Sequence, residues 1–213
     1  QRVKPRQRYE VVFRPHVVKD FSPDDAYDLI IVSVLANQLD EVVPLLAHRA
    51  GKADILFFLN LWTGTRQIER HIDLSRCFFG FPHNVGGGRE GGVINAIIFA
   101  DETQLGEADG GITPRLERTA AVFRAARLKP ELSRQIIPWL TVHYVQQAST
   151  VGAMIEAGSI DDLVKDKQLI RRMIHAYLEG VAVCRARGID VKAAMPMPLM
   201  LYLPVAFQVP LFR

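Results

Sequence analysis

The sequence predicts an α/β protein in two halves, sheet-rich up to about Gly106 and helical beyond it. Three stretches carry that prediction. Tyr27 to Val34 and Asp54 to Leu59 are short, almost wholly apolar runs of the kind buried on both faces of a parallel sheet. Between them Leu39, Val42, Val43 and Leu46 recur at the i, i+3, i+4, i+7 spacing of one helix face. Strand, helix, strand is a βαβ unit, and ligands of such sheets lie beyond the carboxyl ends of the strands.

In chain order, Gln1 to Arg8 is basic and loose, and Tyr9 to Val18 alternates as a strand (Tyr9, Val11, Phe13) broken at Pro15. Ser22-Pro23-Asp24-Asp25 is a turn into the first central strand. Asn37 stands as N-cap of the next helix, which Pro44 kinks or restarts. After Asn60-Leu61-Trp62-Thr63-Gly64, Thr65 to His71 reads as a short polar helix and Cys77 to Phe81 as a third strand. Pro82 to Gly92 holds five glycines and reads as an obligatory loop. A hairpin or mobile loop suits it better than a phosphate loop, because Val93 to Phe99 looks like a strand rather than a helix. Asp101 to Gly106 is a further strand and Ala108 to Ile112 a loop.

Thr113 with Pro114 behind it starts a helix whose apolar face carries Leu116, Ala120, Phe123 and Ala126. Leu128 to Ser133 leads to a longer helix over Ile137 to Ala157. Its apolar side is Ile137, Leu140, Tyr144 and Val151, with His143, Gln146 and Gln147 on other faces. A third helix, Lys167 to Arg187, buries Ile170, Met173, Ile174, Tyr177 and Val181 and stops at Gly188. Asp161, Asp162, Lys165, Asp166 and Lys167 form a solvated helix start.

The length of 213 residues allows a good core, and the net charge of +3 without a basic block gives nucleic-acid binding little support. Cys77 and Cys184 lack metal-ligand or CxxC spacing and read as buried, reduced thiols of a cytoplasmic protein. The scattered histidines make no metal constellation, and His175 with Glu179 one turn on is a surface pair. No signal peptide opens the chain. The apolar tail from Ala193 to Phe212 is punctuated by Pro196, Pro198, Pro204 and Pro210 and reads as packed core rather than a membrane span. The chain starts at Gln1 in mid-pattern, as a fragment would.

The order Tyr27 to Val34, Phe58-Leu59-Asn60, Phe79-Gly80-Phe81 and the glycine run resembles the ketopantoate reductase (2-dehydropantoate 2-reductase) family. So do Leu105-Gly106-Glu107, the capped helix with Phe123, Leu128-Lys129-Pro130 and Ile137-Pro138-Trp139. The resemblance covers roughly Tyr9 to Arg187. It implies the remnant of a Rossmann-type parallel sheet followed by a mostly α-helical C-terminal domain. Residues 1–112 are then the later part of a dinucleotide-binding domain lacking its GxGxxG turn, expected upstream of residue 1. Residues 113–213 are a helical substrate or dimerisation domain. The implied activity is NADP(H)-dependent reduction of a 2-oxo acid or related carbonyl by hydride transfer. A homodimer through the helical domain would suit the apolar tail.

The chain departs from the family at chemical positions. Leu35 stands where the family has a lysine after its Val-x-Val strand, and Leu61 follows Asn60 where it has glycine. Thr141 stands for the lysine expected after Trp139, and Val145 for the asparagine further along that helix. The closing acidic motif is not seen before Arg213. These departures keep open a noncatalytic dinucleotide-binding or dimerising homologue, and an opine- or hydroxyacid-dehydrogenase-like enzyme in which histidine handles the proton.

Asn60 at a strand end matches the family's asparagine and is the first cofactor-binding candidate, or a turn residue satisfying its own backbone. Gln38 and Asn37 follow the first strand and face the dinucleotide in the same reading, or simply start a helix. Trp62, Thr63 and His83 are the substrate-side candidates, with Trp62 equally suited to core and His83, beside the glycine loop, also an alternative proton donor. His143, on the helix where the family places its proton donor, is the catalytic candidate, as a near-neutral acid for the developing alkoxide; the alternative is a structural histidine.

Overall fold

The computed structural model describes residues 10–83, 85–99, 102–195, 203 and 205–212. One sheet has the order β1 (Leu29–Val32), β2 (Asp54–Phe58), β3 (Cys77–Phe81), β6 (Thr103–Glu107), β7 (Pro130–Leu132). The first three run parallel, with Leu29 opposite Asp54 and Ile55 opposite Cys77. β6 turns antiparallel to β3, and β7 is parallel to β6. β4 (Val85–Glu90) and β5 (Val93–Ile98) form a separate antiparallel hairpin.

Side chains alternate across the sheet, and both faces are covered. Ile55, Phe57, Cys77 and Phe79 pack on one face against α1 (Leu39–Arg49) and the start of α4 (Ile136–Ala157). Leu56, Phe78 and Leu105 pack on the other against Leu116, Ala120 and Phe123 of α3 (Pro114–Ala125). Thr113 caps α3, its hydroxyl accepting from Leu116 N, with Pro114 at the first position. Arg115 ties this face together. Its guanidinium pairs with the buried Glu107 and donates to the carbonyls of Ser75 and Cys77.

At 22 residues, α4 is about 33 Å long. Its first turns lie on the sheet and its later ones pack on α6 (Lys167–Ala186) and α7 (Val191–Ala194). α2 (Arg66–Glu69), α5 (Ile160–Leu163) and α8 (Val205–Gln208) are single turns. Among the described residues no helix is long and apolar enough to cross a membrane.

Several expectations are corrected. Residues 10–18 form no strand; Val11 and Phe13 are exposed, and among the described residues no strand lies beside them to supply pairing. Asn37 is not an N-cap: it lies inside a 3-10 turn, Ala36–Gln38, and α1 starts behind Gln38. α1 runs unbroken through Pro44 rather than restarting. The hairpin expected at the glycine run is present, but Val85–Glu90 is one of its strands rather than a loop, and the turn is at Gly91-Gly92, both at positive φ. Ala126 is exposed, and Leu128 to Ser133 holds the short β7. The apolar side of α4 is also different: Trp139, Leu140, Val142, His143 and Val145 are buried, whereas Tyr144 and Val151 are exposed. The basic start (1–8), Tyr9, Asn84, Asp101, Pro196, Pro198 and Pro204 lie outside the described residues.

Candidate functional site

The carboxyl ends of β2 and β3 meet α4. Asn60, two residues past β2, reaches His143: Nδ1 of the imidazole lies 2.7 Å from the Asn60 amide oxygen. The other ring nitrogen, Nε2, lies 3.3 Å from the Gln147 amide nitrogen. An amide oxygen only accepts and an amide nitrogen only donates, so these partners define an imidazole protonated on Nδ1 with its lone pair on Nε2. Trp139, His143 and Gln147 recur every fourth residue and so share one face of α4.

Aromatic rings enclose that imidazole. Trp139 stacks on it at 4.7 Å between centroids and 15° between planes. Phe81, the last residue of β3, is 4.4 Å away, and His83 stands edge-on at 5.2 Å. His83 also meets Trp139 edge-on at 5.6 Å. His143 itself is fully buried. Burial, with the neighbouring His83, holds its pKa down to about 3. The near-neutral acid expected from sequence is therefore not what the fold builds: His143 is uncharged throughout the physiological range.

Trp62 turns the other way, packing at 5.7 Å from Tyr144 with the Arg187 guanidinium 4.7 Å above its ring. Thr63 is exposed in the same loop. Gln38 and Asn37 lie exposed past β1, and the Gln38 side chain accepts from Leu35 N at 2.9 Å. Thr141 is buried, and its hydroxyl is satisfied by the carbonyls of Leu61 and Ile137, each at 3.0 Å.

The structure thus gathers Asn60, His143 and His83 into one cluster and leaves Asn37, Gln38, Trp62 and Thr63 outside it. Sequence reasoning missed Phe81, Gln147 and the ring role of Trp139; the 139, 143, 147 spacing was the available signal. Among the described residues no group of His, Cys, Asp and Glu could hold a metal ion. Cys77 and Cys184 are free and buried, and burial pushes the Cys77 thiol up to about 12.

No family model matches the chain, and no curated protein matches it. Solved structures do. D-mandelate dehydrogenase in a ternary structure with NADH and anilino(oxo)acetate is similar over 91% of this chain and 60% of its own, at 16% identity and a TM-score of 0.66. The 2-dehydropantoate 2-reductase from Geobacter metallireducens GS-15 is similar over 90% and 62%, at 17% identity and a TM-score of 0.65. That from Porphyromonas gingivalis W83 covers 88% and 72%, at 12% identity and 0.55. At these identities the likeness is one of fold. The chain spans about three-fifths of the length of the first two.

Proposed function

We propose that this chain is the later part of an NADPH-dependent oxidoreductase of ketopantoate-reductase type, reducing a 2-oxo acid or related carbonyl. The observation that carries the reading is the Asn60–His143 hydrogen bond, which joins the carboxyl end of a parallel strand to a helix of the second half. In this reading the sheet through β7, with α3 on its face, completes a dinucleotide-binding domain and the chain from α4 onward supplies the helical one, in a cytoplasmic protein.

A bound nicotinamide supplies the hydride. The chain's own residues orient the carbonyl and handle the proton. His143 donates through Nδ1–H to the Asn60 oxygen, which fixes the amide and leaves its N–H groups as donors. Among the described residues the Asn60 side chain has no other hydrogen bond. Those donors suit an oxygen on which negative charge develops. His143, held neutral, positions Asn60 rather than giving up a proton. His83, half-buried beside the stack, is the group placed to pass a proton to the alkoxide.

A second reading has its own support. Thr141, at the position of the expected lysine, is buried and already satisfied, which suits a homologue that binds dinucleotide without turning over. NADPH oxidation by the full-length protein, measured with ketopantoate and a panel of 2-oxo acids, separates the two. Turnover that falls at least about tenfold in Asn60→Ala and His83→Phe, with NADPH affinity retained in His83→Phe, supports the enzyme. NADPH fluorescence quenching without turnover supports the second reading, and the absence of both overturns the two together.

A further inference from the structure

The hairpin is the part of the molecule that the proposed activity does not use. Every residue of β5 is exposed, with Ile94 at 77% and Ile97 and Ile98 at 53% each. A two-stranded hairpin with no layer against it is at best marginally stable in water; a third strand or a covering layer is what such ribbons require. β4 is poorly suited to recruit one. Gly86, Gly87 and Gly88 offer no side chains, and a Cβ on Gly87 would meet the Asn95 carbonyl oxygen. β5 is well suited: it carries no charge, no proline and no bulge, the features with which edge strands block pairing.

We propose that the edge of β5 away from β4, unpaired among the described residues, pairs antiparallel with the same strand of a second copy, about a two-fold axis through Ala96. Hydrogen-bond parity selects that register. The two-residue turn at Gly91-Gly92 makes Glu90 and Val93 the closing pair. Val93, Asn95 and Ile97 therefore direct their N–H and C=O groups at β4, and Ile94, Ala96 and Ile98 direct theirs outward. Only a register pairing these three among themselves satisfies every outward group: Ile94 with Ile98 of the other copy, Ala96 with Ala96.

The side chains agree with the backbone. About Ala96 the strand Val93-Ile94-Asn95-Ala96-Ile97-Ile98-Phe99 is nearly palindromic in apolar character. One face of the joined sheet sets Ile94 against Ile98, and the other sets Val93 against Phe99. Alanine at the axis lets the copies approach, and Arg89 and Glu90 stay on the outer strands, so no like charges meet. The result is a four-stranded antiparallel sheet, an isologous contact between copies. This contact lies on the sheet-side half, away from the helical half where sequence alone placed a dimer.

Sedimentation velocity on the full 213-residue chain over a concentration series tests it. The wild-type chain is expected to show a monomer–dimer equilibrium that Ala96→Pro abolishes over the same range. Proline is tolerated there in the monomer, because that N–H faces outward. Circular dichroism and the thermal midpoint are expected to match wild type under monomeric conditions. Ala96→Cys is expected to cross-link the dimer on oxidation, since hydrogen-bonded antiparallel pairs place Cα atoms about 5.5 Å apart, within disulfide reach. A monomer at all concentrations, a dimer that persists in Ala96→Pro, or an Ala96→Cys chain that stays monomeric on a non-reducing gel overturns the proposal. If Ala96→Pro misfolds, the Ala96→Cys result decides.

Discussion

The strand β5 is about as apolar as β2 and β3 but meets opposite surroundings. In β2 and β3 the side chains of Ile55, Leu56, Phe57, Phe78 and Phe79 are fully buried. In the hairpin, Ile94, Ile97 and Ile98 are more than half exposed. Helices cover both faces of β2 and β3, whereas among the described residues no hydrophobic cluster includes β5. An apolar, β-branched run therefore specifies extended backbone, while burial depends on what the rest of the chain lays against it.

That contrast can be broken by measurement. Phe79→Ala is expected to cost about 3–5 kcal/mol in urea unfolding, through lost burial and an unfilled cavity. Gly80→Ala comes next, at about 1–3 kcal/mol. A Cβ there would lie 2.5 Å from the Gln104 carbonyl oxygen and 2.8 Å from a Leu105 methyl. Gly88→Ala, with nothing within 4 Å, is expected to change stability by less than about 0.5 kcal/mol. Equal losses at the two glycines would erase the distinction between core and hairpin.

His143 gives a third, pH-dependent test. Its folded pKa of about 3 lies below the unfolded value of about 6.5. Between those values the unfolded chain holds a proton that the folded chain does not, so stability rises with pH. The full contribution is present above about pH 6.5 and is lost as pH falls toward 3, at up to about 1.4 kcal/mol per pH unit. Unfolding midpoints between pH 4 and 7 should therefore show a slope that His143→Phe flattens; an unchanged slope would place the titration elsewhere. The smallest effect belongs to the hairpin again. Ile97→Thr is expected to shift stability by less than about 0.5 kcal/mol in monomer conditions.

Local signals read well where one residue decides. Thr113-Pro114 marks the start of α3 and Gly188, at positive φ, follows the end of α6. The two apolar runs are parallel neighbours in one sheet. Signals failed where a partner was needed. The alternation over residues 10–18 has no strand beside it among the described residues, and β7 is three residues long, visible only because β6 pairs with it. Asn60 and His143 stand 83 positions apart, and no spacing rule joins them. The pKa of His143 depends on Phe81, Trp139 and His83, brought from β3, α4 and the segment behind β3.

From the order of residues alone come the α/β class, the run of parallel strands and the capped helices, because backbone preference and side-chain periodicity act within a few residues. The layer that buries each face, the neutral state of His143 and the exposure of β5 belong to the tertiary structure. Solvation and pairing depend on atoms that meet only when distant segments pack, and a single stretch of chain carries no record of its eventual neighbours.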